Sequence, residues 1–250
     1  MKRNIKLIIE YDGTNYCGWQ IQKNDRTIQA EITKALEKMT RHKVTLYGAS
    51  RTDSGVHALG QVANFYTTGN LDPARIQNGL NGLLDDDIVI KESREVPDRF
   101  NAQYDAKAKT YIYRMLNGPV PSALQRNYYY FNPQQVSVPL MRKAARFLKG
   151  RHDFRAFANH AGSYSDSIRR ICDIRIIKKH LDGVGQEIRF TVTGNGFLYN
   201  MVRNIVGTLL LVGYKKIAPE AVKYILKSKD RARAGQNVPA KGLCLVKVEY

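Results

Sequence analysis

The stretch Gly48-Ala49-Ser50-Arg51-Thr52-Asp53-Ser54-Gly55-Val56-His57-Ala58-Leu59-Gly60-Gln61-Val62 decides how this chain is read. One aspartate stands between an arginine and two glycines, in a turn flanked by strand-like runs at 44–47 and 62–66. Glycine has no Cβ, so Gly55 and Gly60 allow close backbone approach, and Asp53 is presented at the tip. The surrounding side chains are small and polar, with the Arg51 guanidinium two residues away. That setting suits a nucleophilic carboxylate better than a core residue. The plainer alternative is a turn aspartate that accepts a backbone N–H.

Upstream, Ile5, Leu7, Ile9 and Tyr11 alternate with Lys6, Ile8 and Glu10, a strand that Asp12-Gly13 ends. Ile28, Ile32, Ala35, Leu36 and Met39 recur at helical spacing. Asp72-Pro73 is a helix start, and 88–90 is a short strand. Downstream, strands are expected at 110–115, 171–177, 188–193 and 243–250. Helices are expected at 140–148, stopped by Gly150, along an apolar stripe from Phe197 to Leu210, and around Val222, Ile225 and Leu226. Strands and helices mix without strict β-α-β alternation. The fold class is therefore α+β with a largely antiparallel sheet, in two halves, 1–105 carrying the Asp53 loop and 106–250. No sequence repeat relates them.

The chain has 250 residues, 43% of them hydrophobic, which is enough for a sizeable core. Lys and Arg number 40 against 22 Asp and Glu, a net charge of +18. A fold does not need such self-repulsion; a polyanionic partner such as RNA is the usual reason for it, and a solubility charge or a ribosome-associated or membrane-surface protein is the plainer alternative. Cys17, Cys172 and Cys244 lie far apart with no Cys-x-x-Cys pair, which argues against zinc and for a reducing, cytoplasmic setting. The N-terminus enters a strand pattern at once, without a signal-like apolar stretch. The longest apolar run, 197–212, is broken by Asn200, Arg203, Asn204 and Gly207, so no membrane span is expected.

Two further residues weigh on the reading of Asp53. Tyr111, in Lys109-Thr110-Tyr111-Ile112-Tyr113-Arg114, is an aromatic on a strand beside cations, a platform on which a base can stack or an ordinary cross-strand tyrosine. Arg203 stands on an otherwise apolar helix, either facing solvent or buried against a carboxylate. Asp53 is the unclaimed carboxylate, and an Arg203–Asp53 pair would keep the acid ionised. Trp19 reads as a packing anchor more than as a base-stacking residue, and His57 as a structural hydrogen-bonding group more than as an acid or base. His152-Asp153-Phe154 reads as a loop that packs beneath the sheet or touches RNA, and Tyr128-Tyr129-Tyr130 as an RNA-touching aromatic run or, more often, one face of a strand.

The order of motifs resembles the tRNA pseudouridine synthase A (TruA) family over nearly the whole chain. The matching segments are Tyr11-Asp12-Gly13-Thr14, Gly18-Trp19-Gln20-x-Gln22, the Asp53 stretch, Lys109-Thr110-Tyr111-x-Tyr113, His152-Asp153-Phe154, Phe197-Leu198-Tyr199-Asn200-Met201-Val202-Arg203 and Gly242-Leu243-x-Leu245. Ser54 stands where the family usually has alanine, and Cys244 lies within the last motif. The resemblance implies an α+β fold of two similar halves around a central cleft. It implies isomerisation of uridine to pseudouridine at positions 38, 39 and 40 of the tRNA anticodon stem-loop, by a homodimer whose two subunits share one tRNA. It casts Asp53 as nucleophile, Tyr111 as the tyrosine on the target base and Arg203 as the partner of the aspartate. Arg51 would help hold the displaced nucleotide, and Leu245 would wall the pocket.

Such a reaction is redox-neutral and consumes no water, so no cofactor is expected. The sequence carries no Rossmann fingerprint, Walker loop or metal-spaced His and Cys. Two rivals remain at this level. A non-catalytic RNA-binding module would gain nothing from an acid in an RNA cleft. A glycosidase-type hydrolase would need a second carboxylate, and Asp12 and Asp153 read as structural.

Overall fold

The computed structural model describes residues 2–159, 165–181, 183 and 185–250. The fold is α+β and divides into two compact units, 1–107 with 244–250, and 108–243. The chain thus leaves the first unit after Lys107 and returns to it with its closing strand, where the Lys107 N–H donates to the Glu249 carbonyl at 2.8 Å.

In the first unit, β1 (Arg3–Tyr11) pairs antiparallel with β3 (His57–Thr67) on one side and β4 (Ile88–Val96) on the other. A two-residue β2 (Tyr47–Gly48) adds to β3, and β10 (Leu243–Glu249) joins β3 in parallel. Ile5, Leu7 and Ile9 of β1 and Phe65 of β3 are fully buried together with Ile28, Ile32 and Leu36 of α1 (Ile28–Thr40). Alternation on the strand and helical spacing on α1 thus each bury one apolar face. Thr27 caps α1 from an extended backbone, and its side chain accepts the Ala30 N–H. The Asp72-Pro73 start is realised in α2 (Pro73–Asn81): Asp72 Oδ1 accepts the Ala74 N–H at 2.8 Å, and proline fits the first turn. Asn81 then ties α2 to β4 by accepting from Ile90 N and donating to Ile90 O.

The expected strand at 44–47 shortens to β2. Val44 and Leu46 are buried, but α1 side chains take their backbone groups, Glu37 Oε1 the Val44 N–H and Gln29 Nε2 the Leu46 carbonyl. That stretch is extended without a ladder.

In the second unit, β5 (Ala108–Asn117), β9 (Gly185–Gly194), β8 (Ile168–Leu181) and β7 (Gly150–Asp153) follow one another as antiparallel neighbours. A short β6 (Tyr130–Asn132) runs parallel to β5, so only the last of the three consecutive tyrosines is in a strand. His152-Asp153 is likewise part of β7 rather than a loop, while Phe154 is fully buried behind it. The expected helix at 140–148 begins earlier, as α3 (Val138–Ala145), because Pro139 suits a first helical turn; a 3-10 turn at Arg146–Leu148 follows. The apolar stripe forms α4 (Met201–Gly213), starting four residues later than Phe197 because Asn200 takes a left-handed backbone (φ 61°) that breaks the helix. The short helix is α5 (Ala221–Ser228).

Helix α4 is buried almost all round. Gly207 in its middle lets the 235–236 backbone cross at contact distance, and a Cβ on Gly207 would collide with the Gln236 carbonyl. The crossing is fixed by the Gly235 N–H, which donates to Thr208 Oγ1 at 2.8 Å. Glycine to alanine ordinarily favours a helix by about 1 kcal/mol. Here the sign reverses: Gly207→Ala should destabilise by roughly 1–3 kcal/mol through overpacking. A thermal melt should show the midpoint falling by several degrees, and an unchanged or raised midpoint would contradict this packing.

Candidate active site

The Asp53 loop sits on a second loop, residues 12–27, that joins β1 to α1. Asp53 to Val56 form a turn: the Val56 N–H donates to the Asp53 carbonyl at 3.1 Å, and Gly55 supplies the positive φ (74°) that a type II turn needs at its third position. Beneath it, the Trp19 N–H donates to the Thr52 carbonyl at 3.0 Å, and the Gly55 N–H and Ser54 Oγ both reach the Tyr16 carbonyl. The hydroxyls of Tyr11 and Thr52 bond each other at 2.7 Å in a buried position. The Trp19 ring is buried against Gly48, where a Cβ would stand 2.5 Å from the indole. Trp19 is therefore the packing anchor the sequence suggested, and it anchors this turn.

Gly18 is the tightest point of the interlock. Its φ of 91° lies in the left-handed region, and a Cβ there would stand 2.6 Å from the Thr52 carbonyl oxygen. His57 is buried at the start of β3, and its Nδ1 accepts the Gly13 N–H at 3.1 Å. That is a structural role, on the same supporting loop. The Asp53 side chain itself is half-buried and that of Arg51 is exposed.

Leu245 belongs to the same unit. It is fully buried on β10 opposite Ala58, with Cys244 opposite His57, so the strand that leaves the Asp53 turn runs beside it. Gly60 permits this approach, since a Cβ there would overlap the Val246 carbonyl.

The other two predicted residues belong to the second unit. Tyr111 lies on β5 opposite Val192, 5% exposed, with the Phe197 ring edge-on at 5.2 Å and 85°. Gly194 makes room for that ring, because a Cβ there would stand 3.2 Å from it. Arg203 is half-buried in the first turn of α4, and its Nε donates to the Val238 carbonyl at 2.8 Å. The charge is therefore held in the protein and does not simply face solvent. Tyr113, two residues beyond Tyr111, donates its hydroxyl to the Pro239 carbonyl; burial pushes its pKa well above the ordinary tyrosine value, with the nearby Arg203 pulling the other way.

A polar network behind Arg203 was not legible in the sequence. Asn200 Oδ1 accepts from Asn159 Nδ2 at 2.9 Å and from Asn237 Nδ2 at 2.6 Å. Asn204, fully buried, donates to the Phe157 carbonyl and to Asn159 Oδ1 and accepts from Arg231 Nη2 at 2.7 Å. The only local signal was asparagine at i and i+4 in an apolar helix. Asp153, read as structural, is so engaged: it accepts from Ser167 Oγ and the Arg155 N–H and pairs with Lys229, and these contacts hold its pKa below the usual carboxylate value even though burial alone would raise it.

The family model for tRNA pseudouridine synthase matches residues 7–105 and 144–250, and so takes in the Asp53 loop, β10 and α4. The chain belongs to the tRNA pseudouridine synthase family. It is 48% identical over 248 residues to tRNA pseudouridine synthase A of Clostridium acetobutylicum, covering 99% of this chain and 100% of that one. It is 49% identical, at the same coverage, to tRNA pseudouridine synthase A of Acetivibrio thermocellus. It is 46% identical over 252 residues, at full coverage of both chains, to tRNA pseudouridine synthase A 2 of Clostridium tetani. Among the described residues no group of three or more His, Cys, Asp and Glu is placed to hold a metal ion, and no helix is long and apolar enough to cross a membrane.

The interlock makes a local prediction. Gly18→Ala should cost at least ~1 kcal/mol, since alanine must enter the left-handed region and also displace the Thr52 carbonyl. Hydrogen exchange would locate the damage: protection at the Trp19 and Val56 amides should fall well before that of β1. Uniform protection across β1 and the loop would mean that Gly18 does not hold the turn.

Proposed function

We propose that this chain is an isomerase that converts uridine to pseudouridine in tRNA, at positions 38, 39 and 40 of the anticodon stem-loop, with Asp53 as the nucleophile. The observation that carries the reading is the Asp53 turn. A carboxylate stands at its tip, and the turn is held from below by Trp19, Gly18 and Tyr16 and from the side by β10. A surface turn would not need so much support; a reactive group that must be aimed does. Membership of the family supplies the reaction.

The reaction breaks the bond from ribose C1′ to uracil N1 and forms one from C1′ to C5. The C5 proton is lost and N1 gains one, so atoms and electrons balance with no water and no redox partner. An ionised carboxylate can serve by attack on the ribose or on the uracil ring and stabilises the electron-poor fragment between the two bonds. The target base must first leave its stack. In this reading Tyr111, held rigid by Phe197, is the surface the base meets, and Arg203 keeps Asp53 ionised. Arg51, exposed beside the turn, grips the displaced nucleotide's backbone, and Leu245 closes the apolar side. The excess of cations supplies the phosphate contacts that position tRNA without reading sequence. Action as a homodimer in the cytoplasm, with both subunits on one tRNA, belongs to the same reading and rests on the resemblance alone.

The test uses tRNA carrying tritium at uracil C5. Wild type should release tritium, and the new nucleotide should map to the anticodon stem-loop. Asp53→Ala should reduce release to background while tRNA affinity stays within roughly threefold, under ~0.7 kcal/mol. Turnover by that variant would remove Asp53 from the chemistry, and free uracil as product would make the enzyme a hydrolase. Tyr111→Phe and Arg203→Ala should each lower kcat more than they raise Kd, because their contacts matter most in the transition state.

A further inference from the structure

Three segments of the first unit meet on Tyr16, in the loop that supports the Asp53 turn. Its carbonyl takes two donors from the residues just after Asp53, Ser54 Oγ at 3.2 Å and the Gly55 N–H at 3.3 Å. Its side chain is buried, and the hydroxyl donates to Asp87 Oδ1 at 2.5 Å. Asp87 stands one residue before β4, and its carbonyl accepts the Asp12 N–H at 2.9 Å just past the end of β1. The Arg26 guanidinium lies over the Tyr16 ring, 4.6 Å from its centre, and pairs with Asp85 and with Glu31 of α1. The Cys17 N–H donates to the Arg26 carbonyl at 2.9 Å, so the backbone and the side chain of Arg26 both hold this point of the loop.

Residues 12–27 form no strand or helix, so no regular ladder fixes them. A buried hydroxyl needs a partner, and a phenylalanine would fill the same space without one. The tyrosine instead ties the loop to the end of the β1–β4 pair. We propose that Tyr16 is a positioning residue for Asp53. Its bond to Asp87 and its place beneath Arg26 fix the carbonyl from which Ser54 and Gly55 hang, and so aim the carboxylate that precedes them. Asp53 is then held on both sides, at Thr52 by the Trp19 N–H and at residues 54 and 55 by the Tyr16 carbonyl. Ser54, where the family usually has alanine, supplies one of the two bonds to that carbonyl. The proposal rests on the reading of Asp53 as nucleophile and goes beyond it by naming the side chains that set its aim. Displacing a reacting group by about 1 Å costs up to roughly 100-fold in rate, so a slack support is read in kcat.

The experiment measures single-turnover tritium release at saturating anticodon stem-loop RNA, Kd by fluorescence anisotropy, and amide hydrogen exchange. Each is run at a temperature where circular dichroism shows every variant folded. The variants are Tyr16→Phe, which keeps the ring under Arg26, Asp87→Ala, the double variant and Asp87→Asn. Tyr16→Phe and Asp87→Ala should each slow release by about three- to tenfold while Kd stays within about twofold. Both act through one bond, so the double variant should be slower than the slower single variant by no more than about twofold. Asp87→Asn keeps an oxygen acceptor for the phenol and should retain most of the rate. Protection of the Gly55 amide should fall in Tyr16→Phe while that of β1 holds. Wild-type rates in both single variants would overturn the proposal. So would effects that multiply in the double variant, or an Asp87→Asn rate as low as that of Asp87→Ala, since the bond would then not be what matters. A loss of affinity at constant rate would also overturn it, because Tyr16 would then serve binding and not aim. Failure of the underlying reading is seen separately: turnover by Asp53→Ala would remove the nucleophile, while exchange at Gly55 would still report whether Tyr16 holds the turn.

Discussion

The Thr52 carbonyl is where the supporting loop and the Asp53 turn meet. It accepts the Trp19 N–H and lies against the bare face of Gly18, while the Thr52 side chain is bonded to Tyr11. One peptide unit is thereby fixed on both sides, and the next residue is Asp53. A backbone hydrogen bond contributes only about 1 kcal/mol net. The geometry makes it decisive, because the contact distance leaves no room for a side chain at position 18. The YDG and GW motifs are thus parts of one support, and Gly13, Gly18 and Gly48 each remove a Cβ that would push the two loops apart.

The same device recurs at Gly207 and Gly235, where the chain returning toward β10 crosses α4 in contact with its backbone. That crossing brings the Val238 carbonyl to Arg203 and Asn237 to Asn200. A guanidinium at the first turn of a helix gains nothing from the helix dipole, which favours anions there. It stays because carbonyl and amide oxygens, which carry partial negative charge, are brought to it and to Arg231 by close backbone approach. Burial without a full countercharge lowers the Arg231 pKa from its ordinary value, yet arginine remains protonated at any physiological pH. The result is two guanidinium groups fixed in place by the fold.

Local signals were legible and non-local ones were not. The Asp53 turn, the Asp72-Pro73 cap and the β1 alternation depend on residues within a few positions of one another, and each stands where the sequence put it. Trp19 and His57 were legible as supports because a lone tryptophan packs more often than it stacks on a base, and the reaction requires no acid or base from His57. The start of α4 was not legible: Leu198 is apolar and at helical spacing, but its carbonyl takes the Met201 N–H and Asn200 turns left-handed. The stretch 44–47 alternates like a strand, yet the acceptors and donors that claim it come from α1. Parallel pairing of β10 with β3 has no sequence signature, so the placement of Leu245 beside Ala58 could come only from the resemblance or the structure. The asparagine network joins residues 200 and 204, at helical spacing, to 159 and 237, separations at which no periodicity speaks.

The proposed chemistry asks a strongly basic chain to keep a carboxylate ionised beside RNA. A carboxylate among phosphates is repelled, and a lone one in low dielectric would take up a proton. Both difficulties fall as the number of fixed cations rises, because each favours the ionised acid and the bound phosphate together. Surface lysines alone would not suffice, since their charges are screened beyond a distance of roughly 8 Å at physiological salt. Cations held by the fold, as Arg203 is by Val238 and Arg231 by its amide partners, keep their position and little of their screening. The net charge of +18 is therefore two populations. One is mobile and weakens with salt, and the other is structured and keeps its place in the fold.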